Sequence, residues 1–91
     1  MLKFNNLKII PAKGFKMRFL GLMFKKKITY ALVFKNCHAI HTFFMMQNID
    51  IIMTDKNDNI IKTLKNIKKG QIIFAPLKTK YIYELPCGTI K

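Results

Sequence analysis

A chain of 91 residues carries one domain, and at 51% apolar residues it is too hydrophobic to stay disordered. Seventeen Lys and Arg stand against four Asp and Glu, a net charge of +13, so a two-carboxylate active site would consume half of all the acids. A single core of this size also cannot frame a large cofactor cleft between lobes.

The span 1–91 therefore reads as one domain, and its apolar runs are short, β-branched and separated by turn signals. The first run, Leu2 to Ile10, closes at Pro11 and carries Asn5-Asn6 as a bend or bulge. From Ala12 the period changes. Phe15, Phe19 and Leu22 fall at i, i+4 and i+7, which predicts one short helix near residues 13–22 with Gly21 near its end. Thr29 to Lys35 predicts a strand with Tyr30, Leu32 and Phe34 on one side and Ala31 and Val33 on the other. Ala39 to Met45 is a further strand candidate. Ile49–Thr54 and Ile60–Leu64 flank Asp55-Lys56-Asn57-Asp58-Asn59, the best hairpin of the chain. Lys68-Lys69-Gly70 turns into Gln71–Phe74, Pro76 ends that run, and Lys80 to Leu85 alternates Tyr81, Tyr83 and Leu85 against Lys80, Ile82 and Glu84. The expected fold is mainly β, α+β at most: a small antiparallel sandwich or barrel of six or seven short strands with one helix.

The positive charge has two readings. Lysines number sixteen and Arg18 is alone, while Lys, Ile and Asn together make 37 of 91 residues, a bias that AT-rich codons produce unaided. The scarcity of acid is less trivial, because glutamate shares such codons and Glu84 is the only one. No apolar run of about 7–15 residues opens the chain as a secretion signal would, so a cytoplasmic protein with two free thiols, Cys37 and Cys87, is expected. The longest stretch without Lys or Arg, Asn36 to Asp55, is too polar to span a bilayer.

Several local patterns invite a chemical reading. Lys13-Gly14-Phe15 opens like an RNA-recognition signature, but Lys16, Met17 and Arg18 break it. Lys13 to Lys27 holds six cations and no acid, a basic amphipathic stretch that either lies on an anionic membrane or binds a partner protein, or else packs Phe15 and Phe19 inward beneath solvated lysines. Cys37, His38, His41 and Cys87 lack the paired spacing of a zinc site, and Cys37 and His41 on one strand would stand about 13 Å apart. Metal and cofactor are both set aside. Asp50 is the odd residue in an apolar strand and needs a donor. The planar fork of Arg18 suits a carboxylate, so a link from Arg18 to Asp50 is expected, with Glu84 as a second partner. The six methionines suit core gaps.

Four blocks then fall into a known order. Arg18-Phe19-Leu20-Gly21-Leu22-Met23-Phe24 resembles the R-x-x-G-L-M-F signature of the domain of unknown function 192 family, also called uncharacterised protein family 0127. Ile40-His41-Thr42-Phe43-Phe44-Met45 is similar to its central block, and Ile49-Asp50-Ile51-Ile52-Met53-Thr54-Asp55 to its I-D-x-x-F-x-D strand and turn. Tyr83-Glu84-Leu85-Pro86-Cys87-Gly88 resembles its closing E-L-P-x-G. The resemblance covers residues 2 to 89 and implies a compact, mainly antiparallel β domain, with the helix carrying R-x-x-G-L-M and no established activity. Met46 stands where the family often has a basic residue, and Lys25 keeps the usual one after L-M-F. The family's segment past E-L-P-x-G is missing, so its strand is either dispensable or supplied by another chain, and an oligomer is open.

The leading expectation is a non-enzymatic module that binds a small ligand or a protein through Arg18, His41, Thr42, Asp50 and Glu84, shaped by Gly21, Leu22, Met23, Phe24, Met45, Pro86 and Gly88. The alternative is a nucleic-acid-associated protein holding phosphates through its lysines, weakly and salt-sensitively. No phosphate loop, nucleophile elbow or paired metal ligands point to an enzyme. Phe15, Phe19, Phe43 and Phe44 could build a base-stacking platform, but the pattern places most of them inward, so unselective binding is expected.

Overall fold

The structure, a computed structural model, describes residues 2–4, 7–13 and 27–90. Its elements are β1 (Lys8–Pro11), β2 (Tyr30–Lys35), β3 (Ala39–His41), β4 (Ile49–Thr54), β5 (Ile60–Ile67), β6 (Ile72–Phe74) and β7 (Tyr81–Pro86). The helix expected near residues 13–22, together with Arg18 and the Gly21-Leu22-Met23-Phe24 block, lies outside the described residues, Lys13 excepted.

Five strands form one sheet in the order β1-β2-β7-β4-β5, and β3 pairs with β6 in a second, two-stranded sheet. β2, β7 and β4 are central, and their apolar runs are buried on both faces, as continuous hydrophobic strands require. The predicted alternation holds. Leu32, Phe34, Ile49, Ile51, Met53 and Ile82 enter a first core, while Ala31, Val33, Ile52, Tyr83 and Leu85 enter a second on the opposite face. The hairpin also holds: β4 and β5 are antiparallel from Ile49↔Ile67 to Thr54↔Ile60. Its outer strand, β5, carries Lys62 and Lys65, charges that blunt an exposed sheet edge.

One pairing departs from the antiparallel expectation: β1 runs parallel to β2, from Lys8↔Tyr30 to Pro11↔Val33. A parallel pair needs a crossover of about a dozen residues or more, and the long β1–β2 connection is of that length. Side-chain alternation encodes faces and says nothing about direction. Ala12 and Ile28, at the two ends of this crossover, are buried in the first core. The small sheet packs on the same face, because its paired residues Ile40 and Ile73 both enter that core.

The second core is closed by Leu2, Phe4, Leu7 and Ile90. Here Tyr83 anchors the N-terminal residues: its hydroxyl donates to Asp58 Oδ1 (2.9 Å) and accepts from the Leu2 amide (3.2 Å). Phe4 lies edge-on to its ring at 6.0 Å. Burial, foremost, pushes the Tyr83 hydroxyl up to about 12, so it stays a donor at neutral pH.

Candidate functional site

Asp50 is 1% exposed and lies on the second face of β4, between strands. Its Oδ1 accepts from the Asn66 amide (2.9 Å), and its Oδ2 accepts from the amides of Gly88 (3.0 Å) and Ile90 (2.9 Å). The first bond explains an irregularity of the sheet. Between Ile49↔Ile67 and Ile51↔Leu64, β5 spends one residue more than β4, and Asn66 takes φ 55° in that bulge. Asn48 Nδ2 (2.7 Å) and Cys87 Sγ (3.3 Å) donate to the Asn66 side-chain oxygen. The other two bonds shape the turn after β7, where Gly88 takes φ 94°, a conformation that suits glycine. Pro86 O accepts from the Thr89 amide and hydroxyl, completing that turn. Three backbone donors thus converge on one buried carboxylate.

Glu84 is the opposite case. It faces the first core, flanked across the strands by Leu32 and Ile51, and is 3% exposed. Its Oε1 is buried without a hydrogen-bond partner among the described residues. Burial in this apolar wall pushes its carboxyl up to about 8. Burial inside this hydrophobic layer thus favours the neutral, protonated form of Glu84.

The central block lies on the small sheet. Thr42 is fully buried; its hydroxyl donates to Lys68 O (2.8 Å) and accepts from the Gln71 amide (2.9 Å). Its backbone amide and carbonyl bond Gln71 O (2.8 Å) and the Gly70 amide (3.1 Å). Thr42 therefore clasps the Lys68-Lys69-Gly70 turn to the end of β3. His41 is half-buried and points outward; its Nδ1 accepts from the Phe43 amide (3.2 Å), and its ring stacks on Phe43 at 5.5 Å and 23°. Met45 is buried in the first core, filling space as expected of a methionine.

These positions separate the polar residues singled out from the sequence. Asp50 and Glu84 occupy opposite faces of the large sheet, Thr42 is a buried clasp, and His41 alone of the described four reaches the surface. Among the described residues no group of three His, Cys, Asp or Glu is placed to hold a metal ion. No helix of the described residues is long and apolar enough to cross a membrane.

The aromatic expectation needs correcting. Phe43 is 39% and Phe44 64% exposed, and Phe74 in β6 is 73% exposed. Phe44 also holds φ 61°, a conformation uncommon for a bulky side chain, in the turn that follows β3. The reason is the length of β3, which ends at His41 rather than running on to Met45. The chain then turns, so alternation no longer assigns Phe43 and Phe44 to a face. Ile72-Ile73-Phe74 carried a usable signal: a three-residue strand apolar on both sides, in a two-stranded sheet, can bury only one of them.

A two-faced mixed sheet with a small second sheet on one side is the fold class these observations define. The profile of the DUF192 family, described as an uncharacterised ACR, matches residues 3–91, and the chain belongs to this family. It is 34% identical over 90 residues to the UPF0127 protein of Thermococcus kodakarensis, covering 92% of this chain and 57% of that one. With the UPF0127 protein of Pyrococcus horikoshii it shares 39% over 83 residues, 85% of this chain and 70% of that one. The chain thus spans a little over half the length of the Thermococcus kodakarensis relative. A crystal structure of a protein of unknown function from Novosphingobium aromaticivorans superposes with a TM-score of 0.78 at 16% identity, over 90% of this chain and 64% of the other. A Sinorhizobium meliloti structure gives 0.79 at 18%, over 92% and 71%. Both likenesses show the fold.

Two outcomes follow for the buried acids. Asp50→Ala should destabilise the domain by about 3–5 kcal/mol, because three backbone donors lose their acceptor; a loss below about 1 kcal/mol in chemical denaturation would mean they are solvated. Glu84 keeps a proton in the folded state that it loses on unfolding above its ordinary value of 4.5, so its contribution to stability should be full below that value and decline as pH rises to about 8. Glu84→Gln should flatten this decline in thermal melts. A flat wild-type profile would mean that a cation reaches the carboxylate and keeps it ionised.

Proposed function

We propose that the protein is a non-enzymatic binding module whose recognition surface is the outer face of the β3–β6 sheet. The supporting observation is a concentration of exposed apolar side chains. Eight large ones are exposed among the described residues, and six of them (Phe43, Phe44, Met46, Ile72, Phe74 and Leu77) belong to this sheet and its flanking turns. Exposed apolar side chains gathered on one part of a small domain mark an interaction site. Beside it, Met45, Met46, Gln47, Asn48, Lys68 and Lys69 line a cavity of about 340 Å³.

His41 is the member of the original polar cluster that belongs to this surface. Thr42 holds the turn that borders it, while Asp50 and Glu84 support the large sheet behind. The expected link from Arg18 to Asp50 lies outside the described residues. We further propose a cytoplasmic setting, which the sequence reading supports.

The test is capture from a lysate of the source organism at about 50 and 200 mM salt, since the higher value strips electrostatic passengers. Wild type and Phe74→Ser are compared, with melts to verify folding. Species retained at the higher salt by wild type should be lost with Phe74→Ser. Identical retention by the two proteins would contradict the assignment of the surface.

A further inference from the structure

We propose that the occupant of the β3–β6 face is single-stranded nucleic acid, its bases stacked on Phe43 and Phe74 and its phosphates held by the lysine turns at either end of β6. The inference rests on the surface assigned above and adds the chemical class of the partner.

The geometry of the face comes first. In the β3–β6 ladder Ala39 stands opposite Phe74 and His41 opposite Ile72, while Ile40 and Ile73 between them point into the core. Ala39, His41, Ile72 and Phe74 therefore share the outward face, with Phe43 added to its end by its stack on His41. Diagonal neighbours across a ladder lie about 7–8 Å apart, so His41 and Phe74 belong to one platform. Flat rings on an open sheet face, spaced by an aliphatic side chain, offer the apolar surface on which unpaired bases stack. A duplex keeps its bases inside and cannot use such a surface.

The charge around the face is of one sign. Lys68 and Lys69 precede β6, in the turn that Thr42 fastens beside His41 and Phe43. Lys78 follows β6, in the Pro76–Thr79 turn, and all three lysines are exposed. No acid answers them. Glu84 and Asp50 are buried in the large sheet; Asp58 bonds Tyr83 on the far face; Asp55 is engaged by the Asn57 and Asn59 amides within its own turn. With a net charge of +13, the partner that complements this surface is a polyanion carrying apolar groups. An acidic protein segment offers the charge, but it has fewer flat apolar groups to place on the rings.

Stacking and charge leave different signatures, and both can be read with the intact chain. The probes are a labelled oligothymidine of about 15 nucleotides and a labelled duplex of that length, a span suited to one small β domain. Each is titrated by fluorescence anisotropy at about 50 and 200 mM salt. The single strand should bind more tightly than the duplex at both. Phe43→Ala and Phe74→Ala should each weaken single-strand binding about five- to a hundred-fold with the salt slope unchanged. Both rings are solvent-exposed, and melts verify that the variants stay folded. Lys68→Ala with Lys69→Ala should instead lower the salt slope. Equal binding of strand and duplex, indifferent to the phenylalanines, would overturn the proposal and leave charge alone. A labelled peptide of alternating Glu and Leu serves as the third probe. If it binds in a Phe74-dependent way and the oligonucleotide does not, the surface stands and its partner is a protein. If neither the probes nor the lysate capture responds to Phe74, the surface itself is misassigned.

Discussion

The carboxylate of Asp50 is the point on which the large sheet depends. It sits in a central strand, where an ionised group survives burial only with donors to satisfy it. The backbone supplies three, from Asn66, Gly88 and Ile90. One side chain thereby fixes the bulge of the edge strand β5, the turn after β7, and the path that carries Ile90 over the second core. Charge-assisted bonds of this kind are worth more than ordinary ones, and a small domain has few other means of holding its edge strand in register.

The same sheet uses its two buried acids in contrary ways. Asp50 is satisfied by amides on the second face, whereas Glu84 is desolvated on the first. Neither is accessible to a ligand that approaches from solvent. Of the described polar residues that look like a site in the sequence, Asp50 and Glu84 are interior, Thr42 is a turn clasp, and only His41 reaches the surface. The surface left for recognition is the small sheet, where aromatic rings replace carboxylates and the surrounding charge is lysine.

How far the sequence foretold this depends on what alternation can encode. Leu32 and Phe34 against Ala31 and Val33, and Ile82 and Glu84 against Tyr83 and Leu85, were assigned to their faces because each strand is long enough for period two to show. The β4–β5 hairpin was legible from its turn residues. The direction of β1 was not, since a short apolar run pairs either way. The oddity of Asp50 was visible, but its partners are amides 16, 38 and 40 residues away, which leave no trace in side-chain identity. Phe43 and Phe44 misled because β3 stops early and the turn after it frees them from any face.

Amide hydrogen exchange at Asn66, Gly88 and Ile90 distinguishes an organising carboxylate from an incidental one. None of the three lies in the middle of a strand, and each lies close to solvent in sequence terms, beside Lys65, Cys87 or Thr89. If Asp50 organises the sheet, these amides open only with the domain and exchange as slowly as those of β4 and β7. Exchange as fast as that of the exposed Lys56 turn would contradict the account and leave Asp50 as a buried charge without a structural role.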